Sequence, residues 1–101
     1  MLETRIEGDK LIIFIGPECL AVNSQALRES LFTAFAASYE DICLDFSQTC
    51  FIDAAGVGVI AATVYEARRK HQTISMSGAS GSVLNMLMST GIDRLLMNKA
   101  T

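Results

Sequence analysis

Apolar and polar positions follow two different periods along this chain. Residues 2–6 set Leu2, Thr4 and Ile6 on one side, a two-residue period that predicts an edge strand with one wet face. Glu7-Gly8-Asp9-Lys10 has the composition of a turn. Leu11–Ile15 then runs apolar without a break, as a strand covered on both faces should, and Gly16-Pro17 ends it. Near Asn23 the period becomes helical. Leu27, Leu31, Ala34, Phe35 and Ser38 form one stripe. Asn23 is placed to cap it, and Val22 stands to Leu27 at the spacing of a hydrophobic staple. Ile42–Phe46 predicts a second buried strand, Asp53 to about Lys70 a second helix, and Thr73–Ser77 a third internal strand. A last helix is expected after a Ser80 cap, with Leu84, Leu87 and Met88 on one face. Gly91 sits where a left-handed C-terminal cap is wanted, with Ile92 placed to touch Leu87.

The resulting order is β-β-α-β-α-β-α. Strands alternating with helices imply an α/β fold with a mostly parallel central sheet, right-handed crossovers and an antiparallel hairpin at the start. With 101 residues and no linker or repeat, residues 1–101 read as a single domain. Half of the residues are hydrophobic, enough for a core without metals or disulfides.

Charge and rarer residues narrow the function. The net charge is −3, and the largest basic cluster is Arg68-Arg69-Lys70, so nucleic acid is not an expected partner. The first ten residues mix charges of both signs and lack the apolar stretch of a signal peptide. The apolar runs are too short to span a bilayer, so membrane insertion is not expected and a cytoplasmic location is. Cys19, Cys43 and Cys50 are odd in number and form no C-x-x-C pair, which suggests reduced thiols. His71 is the only histidine. It has no neighbouring ligand for a metal and no recognisable nucleophile for catalysis, so neither a cofactor nor an active site is expected.

One segment carries most of the remaining signal, Leu44-Asp45-Phe46-Ser47-Gln48-Thr49-Cys50-Phe51-Ile52-Asp53-Ala54-Ala55-Gly56-Val57-Gly58-Val59-Ile60. A strand ends near Phe46, and a short loop follows in which Phe51 and Ile52 are expected to tuck inward. Asp53 then opens a helix of small residues, where its carboxylate can accept from the free amides of the first turn and complement the helix dipole. Val57, Ile60, Ala61 and Val64 form the expected inward stripe of that helix. Ala55, Val59, Ala62 and Glu66, with Gly58 and Tyr65 beside them, fall on the other side. An outward Val59 on a face of low relief suits close approach by another protein.

The segment resembles the STAS domain family, whose best-known members are anti-sigma factor antagonists of bacterial partner-switching systems. The family pattern is a hydrophobic-Asp strand, then Phe/Met-hydrophobic-Asp-Ser-Ser/Ala-Gly-hydrophobic-Gly. Val83 to Leu96, with Gly91-Ile92-Asp93, resembles the family's closing segment, so the resemblance spans about residues 2–97. It implies a STAS-like fold with three to four helices, and a non-enzymatic module that binds a GHKL-type serine kinase of the anti-sigma type. A matching phosphatase is a further candidate partner, and the chain is expected to be a monomer or a weak dimer. The implied partner surface comprises Asp53, Ala54, Ala55, Gly56, Gly58, Val59, Ala62 and Glu66, with Asn23 and Ser24 from the loop Gly16–Ser24.

This chain departs from the family at one telling place. Regulated antagonists carry a phosphorylated serine directly after the motif aspartate, and here that position is Ala54, followed by Ala55. Phosphorylation would add about −1.5 to −2 charge beside Asp53. Alanine has no hydroxyl, so the surface is expected to stay neutral and permanently competent to bind. Two origins fit: a natural member without phosphoregulation, or a serine-to-alanine substitution that mimics the unphosphorylated state. Thr49 is the nearest substitute acceptor. Two functions compete: an antagonist steering transcription, biofilm, motility or secretion outputs, and a STAS subunit that binds the ATPase of a lipid-transport ABC complex. The methionines Met86, Met88 and Met97 are expected to pack in the core.

Overall fold

The computed structural model describes residues 2–35 and 39–98. Its five-stranded sheet has the order β1-β2-β4-β6-β7, built from Thr4–Glu7, Lys10–Phe14, Asp41–Asp45, Thr73–Ser77 and Met97–Asn98. β1 and β2 form the expected antiparallel hairpin, whereas β2, β4, β6 and β7 run parallel. Two two-residue strands, β3 (Glu18–Cys19) and β5 (Phe51–Ile52), pair in parallel as a separate ribbon. The described residues include three α-helices, α1 (Ser24–Phe35), α2 (Ala54–Arg69) and α3 (Gly81–Ser89). The α/β class, the largely parallel sheet and the hairpin are therefore as expected.

The strand pattern places the core. Leu11, Ile13 and Ile15, Ile42, Leu44 and Phe46, and Ile74 and Met76 share one face of the sheet, since side chains alternate along a strand. Leu27, Leu31 and Phe35 of α1, Val57, Ile60 and Val64 of α2, and Val83 and Leu87 of α3 join them in one buried cluster. Ile12, Cys43 and Ser75 lie side by side on the opposite face and are buried as well. That explains why the internal runs are apolar throughout rather than alternating.

Several expectations need correction. β1 begins at Thr4, and all four of its residues are exposed, because as the edge strand it has a neighbour on one side only. Asn23 closes a 3-10 turn (Ala21–Asn23), and its side chain reaches back, accepting from Leu20 N at 2.8 Å and donating to Glu18 O at 2.8 Å. The staple does not form: Val22 is 87% exposed while Leu27 is buried. Ser38 lies outside the described residues. On α3 the inward residues are Val83 and Leu87, Leu84 is half-buried and Met88 is exposed, so the apolar face is turned by one residue. The Ser80 side chain makes no cap bond there. Among the described methionines, Met86 packs partly on the core and Met76 is fully buried; the Met97 side chain lies outside the described residues.

The exit of α3 follows the expected chemistry, and that of α2 differs from it. Gly91 adopts the left-handed conformation (φ 78°) after α3, and Ile92 is buried in the core. α2 ends at a non-glycine residue with positive φ, His71 (φ 59°), which donates its amide to Arg68 O at 3.0 Å. A Cβ is strained in that region by roughly 1 kcal/mol. His71→Gly should therefore raise stability by about 0.5–1 kcal/mol, read as a higher urea midpoint with an unchanged m value.

Candidate functional site

The site lies at the C-terminal edge of the parallel strands, where the loops after β2 and β4 meet the start of α2. Three backbone bonds draw those loops together. Cys50 N and Phe51 N donate to Pro17 O at 2.8 and 3.2 Å, and Asp53 N donates to Cys19 O at 3.2 Å. The β3–β5 ribbon is what the Gly16–Ser24 loop and the Asp53 loop become when they pair.

Asp53 joins these pieces. It is extended (φ −121°, ψ −177°) and caps α2: Gly56 N donates to its Oδ1 at 2.9 Å. Its second oxygen, Oδ2, accepts from Ala21 N at 3.0 Å, so one carboxylate ties the helix start to a turn thirty-two residues earlier. Donation from Ala21 N and then from Gly56 N, which outweighs partial desolvation, lowers its pKa below the ordinary 3.8. The unfolded chain then takes up this proton first as pH falls. The stability Asp53 contributes is therefore complete above pH 4 or so and is lost as pH drops through its depressed folded value. Asp53→Asn keeps one acceptor and removes the charge. It should lower the urea midpoint at pH 7 and flatten the fall in stability between about pH 5 and pH 2.

Gly56 comes next. A Cβ there would lie inside the carbonyl oxygen of Cys19 and 2.8 Å from Cys19 Sγ, so α2 sits directly on β3 at this position. Gly56 is buried and is a packing residue, not part of an outer surface. Burial, and secondarily the nearby Asp53 charge, push the Cys19 thiol up to about 12. Cys19 stays a neutral thiol through the physiological range, while Cys50, in the loop ahead of Phe51, is exposed.

The remaining expected residues divide in two. Ala54, Ala55 and Gly58 are exposed along the first turns of α2, and Ala62 is half-buried below them. Val59 is not outward: α1 packs beside α2 and leaves Val59 only 9% exposed, at the floor of an open groove lined by Ser24, Arg28 and Phe32. Tyr65 takes the outward place further along the helix. Glu66 lies about 20 Å along the axis from the helix start, at 1.5 Å per residue. It pairs with Arg69 at 3.1 Å and Lys70 at 3.9 Å, so it does not join the Asp53 surface. Ser24 donates its hydroxyl to Ala21 O and, with Asn23, shapes the adjoining turn. Ala61, expected inward, is half-buried, and the Thr49 hydroxyl oxygen is buried within the loop, a poor position for a substitute phosphoacceptor.

Two residues escaped the sequence reading. Phe51, expected to tuck inward, is 60% exposed, because pairing with Glu18 turns it out while Ile52 packs on the core. Val22 is exposed in the turn that Asp53 holds through Ala21. The exposed residues around the Asp53 cap are the small Ala54, Ala55 and Gly58 of α2, Phe51 just ahead of it and Val22 in the turn tied to Asp53. The Asp53 carboxylate is already committed to two amides.

Comparison with known proteins agrees with this architecture. A family model described as Mlab, STAS domain, matches residues 3–97. A Thermotoga maritima protein assigned as an anti-sigma factor antagonist superimposes with a TM-score of 0.89 at 21% identity, covering 99% of this chain and 86% of that one. An anti-sigma factor antagonist from Mycobacterium paratuberculosis gives 0.87 at 20% identity, covering 100% and 86%. The Bacillus cell fate determinant SpoIIAA in its phosphorylated form gives 0.71 at 17% identity, covering 99% and 92%.

Proposed function

The chain belongs to the STAS domain family, and on that premise we propose that it is a non-enzymatic regulatory module that docks another protein on the Asp53–Gly58 surface. The observation that carries this reading is the surface itself. Phe51 and Val22 are large apolar side chains held in the open, and Ala54 and Ala55 let a partner backbone come close. Each Asp53 oxygen already accepts an amide bond, so a partner need not supply donors to satisfy the carboxylate.

The partner class favoured is a GHKL-type serine kinase of the anti-sigma type, within a cytoplasmic bacterial partner-switching system. In such a system a phosphoserine next to the motif aspartate would oppose docking. Ala54 cannot carry phosphate, so this chain stays in its binding state. A second reading has its own support in Ala54. A STAS subunit permanently seated on the ATPase of a lipid-transport ABC complex needs no phosphoacceptor at all.

Affinity capture from the source cell, with mass spectrometry of the co-eluting proteins, separates the two. A serine kinase retained without ATP-dependent release supports the antagonist. A transporter ATPase moves the protein to the transport reading. Loss of neither partner on Ala54→Arg would remove the surface from the interaction altogether.

A further inference from the structure

The free edge of β1 has a pattern that fits a second copy of itself. Phe14 N donates to Glu3 O at 2.9 Å, which makes Glu3 and Phe14 a hydrogen-bonded pair of the hairpin. Antiparallel ladders alternate, so Arg5–Ile12 and Glu7–Lys10 are also hydrogen-bonded pairs, and the backbone groups of Thr4 and Ile6 turn away from β2. They form the outer rim of the sheet, beside side chains that are all exposed. Ile6, on the helix-side face, is 58% exposed. Arg5 and Glu7 lie together on the other face, 3.2 Å apart, with Arg5 stacked over Phe14.

From this edge we infer that the protein self-associates through β1, by antiparallel pairing across a twofold axis at Ile6. Only registers that align outward-facing backbone groups can form a ladder, which leaves axes at Thr4, Arg5 or Ile6. An axis at Arg5 opposes two arginines. An axis at Thr4 crowds the two α1 helices, because Glu29 and Thr33 flank Thr4 in a groove. An axis at Ile6 sets Ile6 against Ile6 in a hydrogen-bonded pair. It also puts each Arg5 across from the Glu7 of the other copy at the closer, non-hydrogen-bonded positions. Charges on an edge strand usually discourage pairing. Here their order, Arg5-Ile6-Glu7, makes the edge complementary to itself, and the contact is isologous and closed. The hairpin end of β1 lies at the opposite end of the sheet from Asp53, so both docking surfaces stay open in the pair.

A strand pair this short buries less than about 1,200 Å², the range of weak and transient contacts. Sedimentation equilibrium of the whole chain, over concentrations up to about 1 mM, is the test. The wild type should show a monomer–dimer equilibrium. Arg5→Glu and Glu7→Arg should each weaken it roughly tenfold or more, since two ion pairs become two repulsions at once. The charge swap R5E/E7R should restore it, and Ile6→Lys should abolish it, all with unchanged circular dichroism. A wild type that stays monomeric throughout overturns the inference. So does a swap as weak as the single variants, the result an axis at Thr4 would give through Glu3.

Discussion

Gly56→Ala should destabilise the fold by about 3 kcal/mol, at or above the upper end of ordinary overpacking. The new methyl would meet backbone, not a side chain that can swing away: the Cys19 carbonyl carbon lies 2.7 Å from the Cβ position. That carbonyl also accepts from Asp53 N, and its strand is paired to β5, so retreat would break the loop contacts as well. Helix propensity alone favours alanine over glycine by about 1 kcal/mol, so the substitution sets packing against propensity. Gly58→Ala is the control. Nothing lies within 4 Å of its Cβ position, and it is exposed on the same helix. It should raise stability by up to about 1 kcal/mol. Urea midpoints of the two variants should move in opposite directions from wild type, and a shared direction would contradict the close approach of α2 to Cys19.

Phe51→Ala should weaken capture of the docking partner by about 2 kcal/mol, near thirtyfold, while changing stability by under about 1 kcal/mol. A phenylalanine that is 60% open contributes little to the core, but buried at the centre of an interface it becomes an anchor. Titration calorimetry with the captured protein gives the affinity, and thermal unfolding of the free variant gives the stability. Full affinity in Phe51→Ala would place docking elsewhere. A large loss of stability would mean that Phe51 supports the loop.

The sequence made the strands legible where the apolar run was long. The runs Leu11–Ile15, Ile42–Phe46 and Thr73–Ser77 mark the internal strands, which form at Lys10–Phe14, Asp41–Asp45 and Thr73–Ser77, and the Asp53 cap on α2 stands as expected. Strands of two residues are shorter than any periodicity, so β3, β5 and β7 left no pattern to read. The side to which Phe51 turns is set by its pairing with Glu18, a long-range fact that local alternation cannot carry. Val59 went astray for a related reason. Its helix period is regular, but how far α1 wraps around α2 is decided by tertiary packing. Gly56, grouped with other small residues, differs from Gly58 in what lies against it, and that neighbour, Cys19, comes from β3, far away in the sequence.

The bond from Ala21 N to Asp53 Oδ2 has a consequence for kinetics. A recognition loop that must be ordered on contact loses conformational entropy in the complex and slows productive encounters. Here the carboxylate, the Pro17 carbonyl and the β3–β5 ribbon hold both loops of the proposed docking surface in place in the free protein. Association should then proceed at the rate of rigid docking, about 10⁵–10⁷ M⁻¹s⁻¹. Differences in affinity among variants of this surface should appear mainly as differences in how long the complex lasts.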